Sequence, residues 1–190
     1  KEKVLIIGAS ENPSRYSYKA IIKLKENNYE VFAFGNRHGK VKGIEINRNM
    51  AQTCRSYGLN IIEGDAIQSI KQIETNSISV ISIFHLVEHL QHNNLLELIK
   101  ECKRVLNENG LLLIETPSID NLVVSTKSFY LDPTHINPIH PDGISFSIER
   151  SGFYKVKYYY IHGGPLQNDD PLKLTRILNG VGQDLLILAT

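Results

Sequence analysis

Residues 78–115, ISVISIFHLVEHLQHNNLLELIKECKRVLNENGLLLIE, decide the fold because they predict a strand, a helix and a second strand in succession. Residues 78–84 are a short apolar run, and residues 93–106 carry apolar side chains three and four positions apart, which is typical of an amphipathic helix. Asn109-Gly110 ends that helix, and residues 111–115 are apolar again. This order predicts parallel strands joined by a right-handed crossover.

The same alternation continues on both sides of this unit. Further strands are predicted at 4–7, 29–34, 43–46, 60–63, 154–161 and 184–189, and further helical segments at 16–27, 47–57, 66–73 and 141–151. Little helical signal separates the last two strands, so we expect them to form an antiparallel pair. The predicted fold class is α/β: a doubly wound, mostly parallel Rossmann-like sheet with helices on both faces and an antiparallel final strand.

Length, composition and net charge limit the classes to which this protein can belong. A chain of 190 residues with 42% hydrophobic content predicts one domain over 1–190. Its net charge of +1 gives no field that attracts nucleic acid or an anionic membrane, so neither is an expected partner. Every apolar run is shorter than the roughly 18 residues of a membrane span, and Lys1 opens a strand-like segment without a signal peptide, which predicts a cytoplasmic protein. Cys54 and Cys102 are expected to be buried thiols without a chemical role.

Polar residues follow most of the predicted strands. In a doubly wound sheet, ligands bind at the carboxyl ends of the strands, so these residues are the candidates for a site. Glu45 follows the third strand and could accept hydrogen bonds from both hydroxyls of a ribose. Asp65 follows the fourth and could accept from an adenine amine, with Phe84 and Ile67 beside the ring. The alternative is that polar residues occupy these two positions only because strand ends meet solvent, and that neither carboxylate binds a ligand.

Residues 43–190 resemble a class I S-adenosylmethionine-dependent methyltransferase. The motifs that carry the resemblance are GIEIN (43–47), NIIEGDAI (60–67), ISIFHLVEHL (81–90), ECKRVLNENGLLLIETPS (101–118), SFYLDPTHINP (128–138) and ERSGF (149–153). The resemblance implies that the cofactor is S-adenosylmethionine. It also implies which residues contact its parts: Glu45 and Ile46 the ribose, Asp65 and Ala66 the adenine, Phe84 and His85 the methionine. The expected acceptor is a small molecule or a sugar beneath the loop at 116–141.

The first 46 residues depart from that family. Its members follow their first strand with a glycine-rich GxGxG turn, whereas this chain has Gly8, Ala9 and Ser10 there, the residues expected to contact the cofactor. Residues 3–46 resemble instead the start of a Rossmann-type CoA-binding domain, which implies a pyrophosphate at the following helix and a ribose phosphate at the basic loop 37–42.

The predicted function is therefore a methyltransferase-like domain that binds S-adenosylmethionine or S-adenosylhomocysteine. Because the glycine-rich turn is replaced, both an active and an impaired or inactive enzyme remain open. Two alternatives remain open. One is a nonenzymatic module that binds CoA or a nucleotide. The other is a hybrid scaffold, natural or engineered, without a tight ligand.

Two histidines are candidates for acid–base work. Methyl transfer requires an aligned acceptor and, for an alcohol or acid, removal of a proton. His85 and His135 are the predicted catalytic residues because both are expected to face one crevice; alternatively, His85 caps a helix and His135 orders its loop. Residues 85–89 match the HxxEH pattern of some zinc peptidases, but that pattern needs both histidines on one helix and His85 ends a strand. No metal site is predicted.

Overall fold

A computed structural model describes residues 43–57, 59–162 and 181–190, together with the strands at 3–5 and 30–32. The predicted cofactor residues Gly8, Ala9 and Ser10, the predicted helix at 16–27 and the basic loop at 37–42 lie outside the described residues.

The described strands form a mostly parallel arrangement. They are β1 (Lys3–Leu5), β2 (Glu30–Phe32), β3 (Gly43–Glu45), β4 (Ile61–Glu63), β5 (Ile78–Phe84), β6 (Leu106–Pro117), β7 (Val156–Ile161) and β8 (Asp184–Ala189). Parallel pairs join β1 with β2, β3 with β4 and β5 with β6. β8 lies between β6 and β7 and is antiparallel to both. The predicted fold class, a mostly parallel α/β sheet with an antiparallel final strand, is confirmed.

The helices begin and end close to their predicted bounds. They are α1 (Arg48–Ser56), α2 (Ala66–Ile70), α3 (His92–Val105) and α4 (Pro141–Arg150), with shorter helical segments at Val87–His89, Val124–Ser128 and Phe129–Leu131. Asn47 caps α1, since its side-chain oxygen accepts hydrogen bonds from the backbone N–H groups of Asn49 (3.0 Å) and Met50 (3.2 Å). None of the helices in these described ranges is long and apolar enough to cross a bilayer.

A bulge connects α3 to the body of β6. Ile78 pairs with Leu106 and Val80 with Leu111, so residues 107–110 loop out of the ladder. Gly110 closes this bulge, and a Cβ atom there would lie 2.8 Å from the Leu106 side chain. The Asn109-Gly110 signal therefore marks the bulge, and the strand already begins at Leu106.

One hydrophobic core runs from α2 to β8. Its members with no exposed surface include Val87, Cys102, Val105, Ile114, Ile148, Leu185, Ile187 and Ala189. Burial raises the pKa of the Cys102 thiol to about 12, with a smaller contribution from Glu101, which fits the inert thiol that was predicted. Cys54 differs from the prediction because it is only half-buried.

Arg104 ties α3 to the segment after α2. Its guanidinium donates to the carbonyl oxygens of Ile70 (3.0 Å) and Ile73 (2.9 Å) and to Glu101 (2.8 Å). A lysine keeps the charge but cannot reproduce this planar fork. We expect Arg104→Lys to lower the free energy of unfolding by about 1–3 kcal/mol, measured by urea denaturation. Lys100→Arg, an exposed position on the same helix, should leave the midpoint unchanged; equal midpoints for both variants would contradict this role.

Candidate functional site

Glu45 ends β3 at the carboxyl edge of the sheet. Its Oε1 accepts a hydrogen bond from the backbone N–H of Asn47 at 2.6 Å, so the cap of α1 and the carboxylate are built from one turn. A carboxylate offers about four acceptor positions, so this bond leaves capacity for a ligand. The neighbouring Ile46 is 72% exposed and open to contact.

Asp65 lies after β4, the strand paired with β3 in the register Glu45 to Glu63. Its Oδ1 accepts from the Gln68 N–H at 2.9 Å and so caps α2, whose first residue is Ala66. This capping bond supports the alternative that Asp65 has a structural role, but it uses only one of the acceptor positions of the carboxylate. Ile67 is 5% exposed and belongs to the core, so its predicted place beside an adenine ring is wrong.

Phe84 and His85 stand at the end of β5. Phe84 pairs with Glu115 of β6, and the His85 backbone N–H donates to the Glu115 carbonyl at 2.9 Å. His85 has a φ of 48°, a left-handed backbone conformation that is uncommon outside glycine. The chain leaves β5 at this residue and enters the turn at Val87–His89.

The imidazole of His85 lies between two buried carboxylates. Its Nδ1 is 3.2 Å from Glu88 Oε1, and its Nε2 is 3.6 Å from Glu115 Oε1. Burial disfavours the charged ring, but the neighbouring carboxylates of Glu115 and Glu88 outweigh it and raise the pKa of His85 to about 10. A ring that is already protonated at neutral pH is poorly suited to abstract a proton.

Buried polar residues surround His85 at this edge. Glu88 has no exposed surface and accepts from the Thr116 hydroxyl at 3.0 Å. Glu115 is 3% exposed, and its Oε1 has no hydrogen-bond partner within the described residues. Asp184 is 7% exposed and bonds to His162 Nδ1 at 3.0 Å; burial raises its pKa, against the opposing effect of His85.

Sequence reasoning missed two members of this group. Asp184 begins β8, and an antiparallel strand brings its first residue to the edge where parallel strands bring their last. Inspection of the residue after each strand therefore overlooks it. The other is Glu88, and the signal that could have found it is a charged side chain inside the apolar run FHLVEHL.

His135 lies in the loop after β6, and its interactions within the described residues are with Phe129, His89 and Asp132, not with His85. Its Nδ1 is 2.7 Å from the Phe129 carbonyl oxygen, and its ring packs at 4.7 Å from the ring of His89. The backbone N–H groups of Ile136 and Asn137 both donate to the Glu88 carbonyl at 3.0 Å, which holds the loop against the end of β5. The bond of His135 to the Phe129 carbonyl favours the alternative in which His135 orders its loop.

The HxxEH pattern does not form a helical zinc motif. Only Val87–His89 is helical, as one 3-10 turn, and His85 lies before it. His140, another histidine near this loop, caps α4 by accepting from the Asp142 N–H at 3.2 Å.

Comparison with known proteins identifies the fold. A family model described as a methyltransferase domain matches residues 27–114. An S-adenosylmethionine-dependent methyltransferase from Archaeoglobus fulgidus is similar over 99% of this chain and 85% of its own, at 26% identity and a TM-score of 0.70. None of the curated proteins searched matches the chain.

Two more distant structures share the architecture. A candidate methyltransferase solved with the Haloferax volcanii activator Trm112 has a TM-score of 0.69 at 14% identity, over 100% of this chain and 82% of its own. Phosphoethanolamine N-methyltransferase 2 of Haemonchus contortus, in complex with S-adenosyl-L-methionine, has a TM-score of 0.63 at 14% identity, over 100% of this chain and 48% of its own.

The family match begins at residue 27, ahead of the boundary at 43 that the sequence motifs suggested. The methyltransferase likeness thus extends into the segment that resembles a CoA-binding domain, and these comparisons lend a CoA site no support. Since the sheet order and the Archaeoglobus fulgidus structure agree, the chain has the Rossmann-like α/β fold of S-adenosylmethionine-dependent methyltransferases, and residues 27–114 match the methyltransferase-domain model.

Proposed function

We propose that the chain is an S-adenosylmethionine-dependent methyltransferase that binds its cofactor along the carboxyl ends of β3, β4 and β5. The observation that carries this is the position of Glu45: a half-buried carboxylate at the end of β3, preorganised by its bond to the Asn47 N–H. Such a group suits a ribose diol, whose two hydroxyls are donors in a fixed geometry. When bound, S-adenosylmethionine supplies an electrophilic methyl group on a sulfonium.

The remaining contacts follow from the order of the strands. Asp65 and Ala66, at the start of α2, would meet the adenine, and Phe84 and His85, at the end of β5, would meet the methionine part. Phe84 is half-buried, so its ring combines support from the sheet with an open face. The turn at Gly8, Ala9 and Ser10 remains a proposed part of the same site.

The acceptor would lie on the β6 and β8 side, beneath the loop at 116–141. Glu115 and Asp184 bring buried carboxylates to this edge. Oε1 of Glu115 lies 3.6 Å from His85 Nε2 and makes no hydrogen bond within the described residues, so it keeps acceptor capacity for a hydroxyl or amine donor. A small molecule or sugar with such donors fits this chemistry.

Both predicted catalytic histidines receive a positioning role in this proposal. The two ring nitrogens of His85 face Glu88 and Glu115, so the ring would hold these carboxylates in place. The Nδ1 of His135 bonds to the Phe129 carbonyl, which fixes the ring within its loop.

Calorimetric titration of the purified protein with S-adenosylhomocysteine tests the proposal without knowledge of the acceptor. Saturable binding of one molecule per chain is the expected result, and CoA titrated in parallel should give no heat of binding. Binding of CoA alone, or no measurable heat of binding with either ligand, would overturn the proposal. Activity is then a separate question, since a protein can retain the cofactor and lose the methyl transfer.

A further inference from the structure

Three metal-ligating side chains converge beside the proposed acceptor region. Glu88 and His89 lie in the turn after β5, and His135 comes from the loop after β6. Each offers one ligand atom, and the three atoms lie within 4.8 Å of one another. The group joins two segments that are distant in sequence, which is the usual construction of a metal site in a folded chain.

Hydrogen bonds to the loop decide which nitrogen of each histidine carries the proton. His89 Nδ1 is 3.2 Å from the Thr134 carbonyl oxygen and 2.9 Å from its hydroxyl, and that hydroxyl donates to Asp132 at 2.6 Å. His135 Nδ1 is 2.7 Å from the Phe129 carbonyl oxygen. A carbonyl oxygen only accepts, so both Nδ1 atoms must donate.

This assignment leaves the Nε2 atom of each neutral ring with its lone pair; His135 Nε2 lies 3.9 Å from Asp132 Oδ2, too far for a hydrogen bond. Metal-binding histidines are oriented in the same way, with the other ring N–H donated to a carbonyl or carboxylate. Packing also restricts rotation of the rings, because the centroid of the His135 ring lies 4.8 Å from that of Phe129 and 4.7 Å from that of His89.

The carboxylate of Glu88 is equally preorganised. The side chain is fully buried, one oxygen accepts from Thr116 at 3.0 Å, and the other lies 3.2 Å from His85 Nδ1. Each oxygen keeps a second lone pair for a cation. The backbone carbonyl of Glu88 also accepts hydrogen bonds from the N–H groups of Ile136 and Asn137. These bonds fix the loop that carries His135 against the turn that carries Glu88.

We propose that Glu88, His89 and His135 bind a divalent transition-metal ion. Two imidazoles and one carboxylate are the donor set of Zn²⁺, Fe²⁺, Mn²⁺ and Co²⁺ sites that retain open positions for water or an acceptor oxygen. Bonds of about 2.0–2.2 Å require the ligand atoms to draw somewhat closer together than they lie without an ion. The inference goes beyond the proposed function, since none of the three residues is assigned to the methyl donor.

The second acidic group at this edge is a weaker candidate and provides a control. Glu115, His162 and Asp184 also bring ligand atoms within 4.8 Å of one another. Here, however, His162 Nδ1 and Asp184 Oδ2 bond to each other at 3.0 Å, so two of the three members already satisfy one another.

The test is binding of the metal alone to the full chain, prepared without a histidine tag and stripped with a chelator. Calorimetric titration with Zn²⁺ should give one ion per chain, and Co²⁺ should produce visible absorption bands. His89→Gln and His135→Gln should each weaken Zn²⁺ binding by about 10-fold to 100-fold. His92→Gln, which removes an exposed histidine at the start of α3, should leave the affinity unchanged.

Several results would overturn the proposal. These are an absence of stoichiometric binding, equal affinities for the His89, His135 and His92 variants, or loss of binding in Asp184→Asn with retention in His89→Gln. Melting curves without metal establish that each variant is folded. If a ligand variant does not fold, Thr134→Val replaces it: removal of the hydroxyl beside His89 Nδ1 should weaken binding about 10-fold, and an unchanged affinity would count against the site. Since no S-adenosylhomocysteine is present, failure here leaves the methyltransferase proposal unaffected.

Discussion

Glu45→Ala is expected to weaken the binding of S-adenosylhomocysteine by about 10-fold to 100-fold. Hydrogen bonds to a charged group contribute about 1.5–3 kcal/mol, and about 1.4 kcal/mol corresponds to a factor of ten in affinity. Glu45→Gln should lose less, because the amide oxygen still accepts one bond from the ribose. Titration calorimetry of both variants gives the dissociation constants directly.

Glu63 provides the matched control. It stands opposite Glu45 in the β3–β4 register, is also a carboxylate at a strand end, and pairs with Arg55 at 3.0 Å on the surface. Glu63→Ala should therefore leave the affinity within about twofold of the parent, since exposed ion pairs contribute little. If Glu45→Ala and Glu63→Ala bind equally well, the ribose assignment is wrong.

Ile114→Ala is expected to lower the free energy of unfolding by about 2–5 kcal/mol. Ile114 has no exposed surface and lies in the middle of β6, between Ile83 of β5 and Ile187 of β8. Its truncation leaves a cavity where three strands meet, and a domain with a typical stability of about 5–15 kcal/mol would lose a large part of it. Urea denaturation followed by circular dichroism measures the change.

Phe146→Ala removes a larger side chain from an exposed place. Phe146 is 64% exposed on α4, so its loss should change the free energy of unfolding by no more than about 0.5 kcal/mol. A comparable destabilisation by the two substitutions would mean that burial in the sheet is not what stabilises this domain.

The fold was accessible from the sequence because its central elements repeat one pattern. The bounds of β5 and β8 were predicted without error, and α3 was predicted to within about one residue. A period near 3.6 identifies the helix, whereas the short apolar runs are identified as strands by their length and by their β-branched residues. The start of β6 was not predicted. Asn109-Gly110 marks a change of direction in the backbone, and local sequence does not distinguish a helix stop from a bulge inside a strand.

The candidate site was accessible only where a candidate residue lies at or just after the end of a parallel strand. That rule finds Glu45 at the end of β3, Asp65 after β4 and His85 after β5. It cannot find Asp184, whose strand runs in the opposite direction, or the meeting of Glu88 with His135, which depends on how a long loop folds back. The protonation of His85 was equally hidden, because it arises from two carboxylates that are brought to the ring only by the folded sheet.

The position of β8 inside its sheet has a consequence for biosynthesis. Among the described strands, β6 and β7 are joined only through β8, whose residues Leu185, Ile187 and Ala189 have no exposed surface. During translation, residues 184–189 leave the ribosome after all other described strands. Until then, the edge of β6 that pairs with β8 is exposed, and β7 has no described partner strand. Such edges pair readily with other chains, and closure over this sequence distance is slow. The protein is therefore expected to depend on chaperones late in synthesis rather than early.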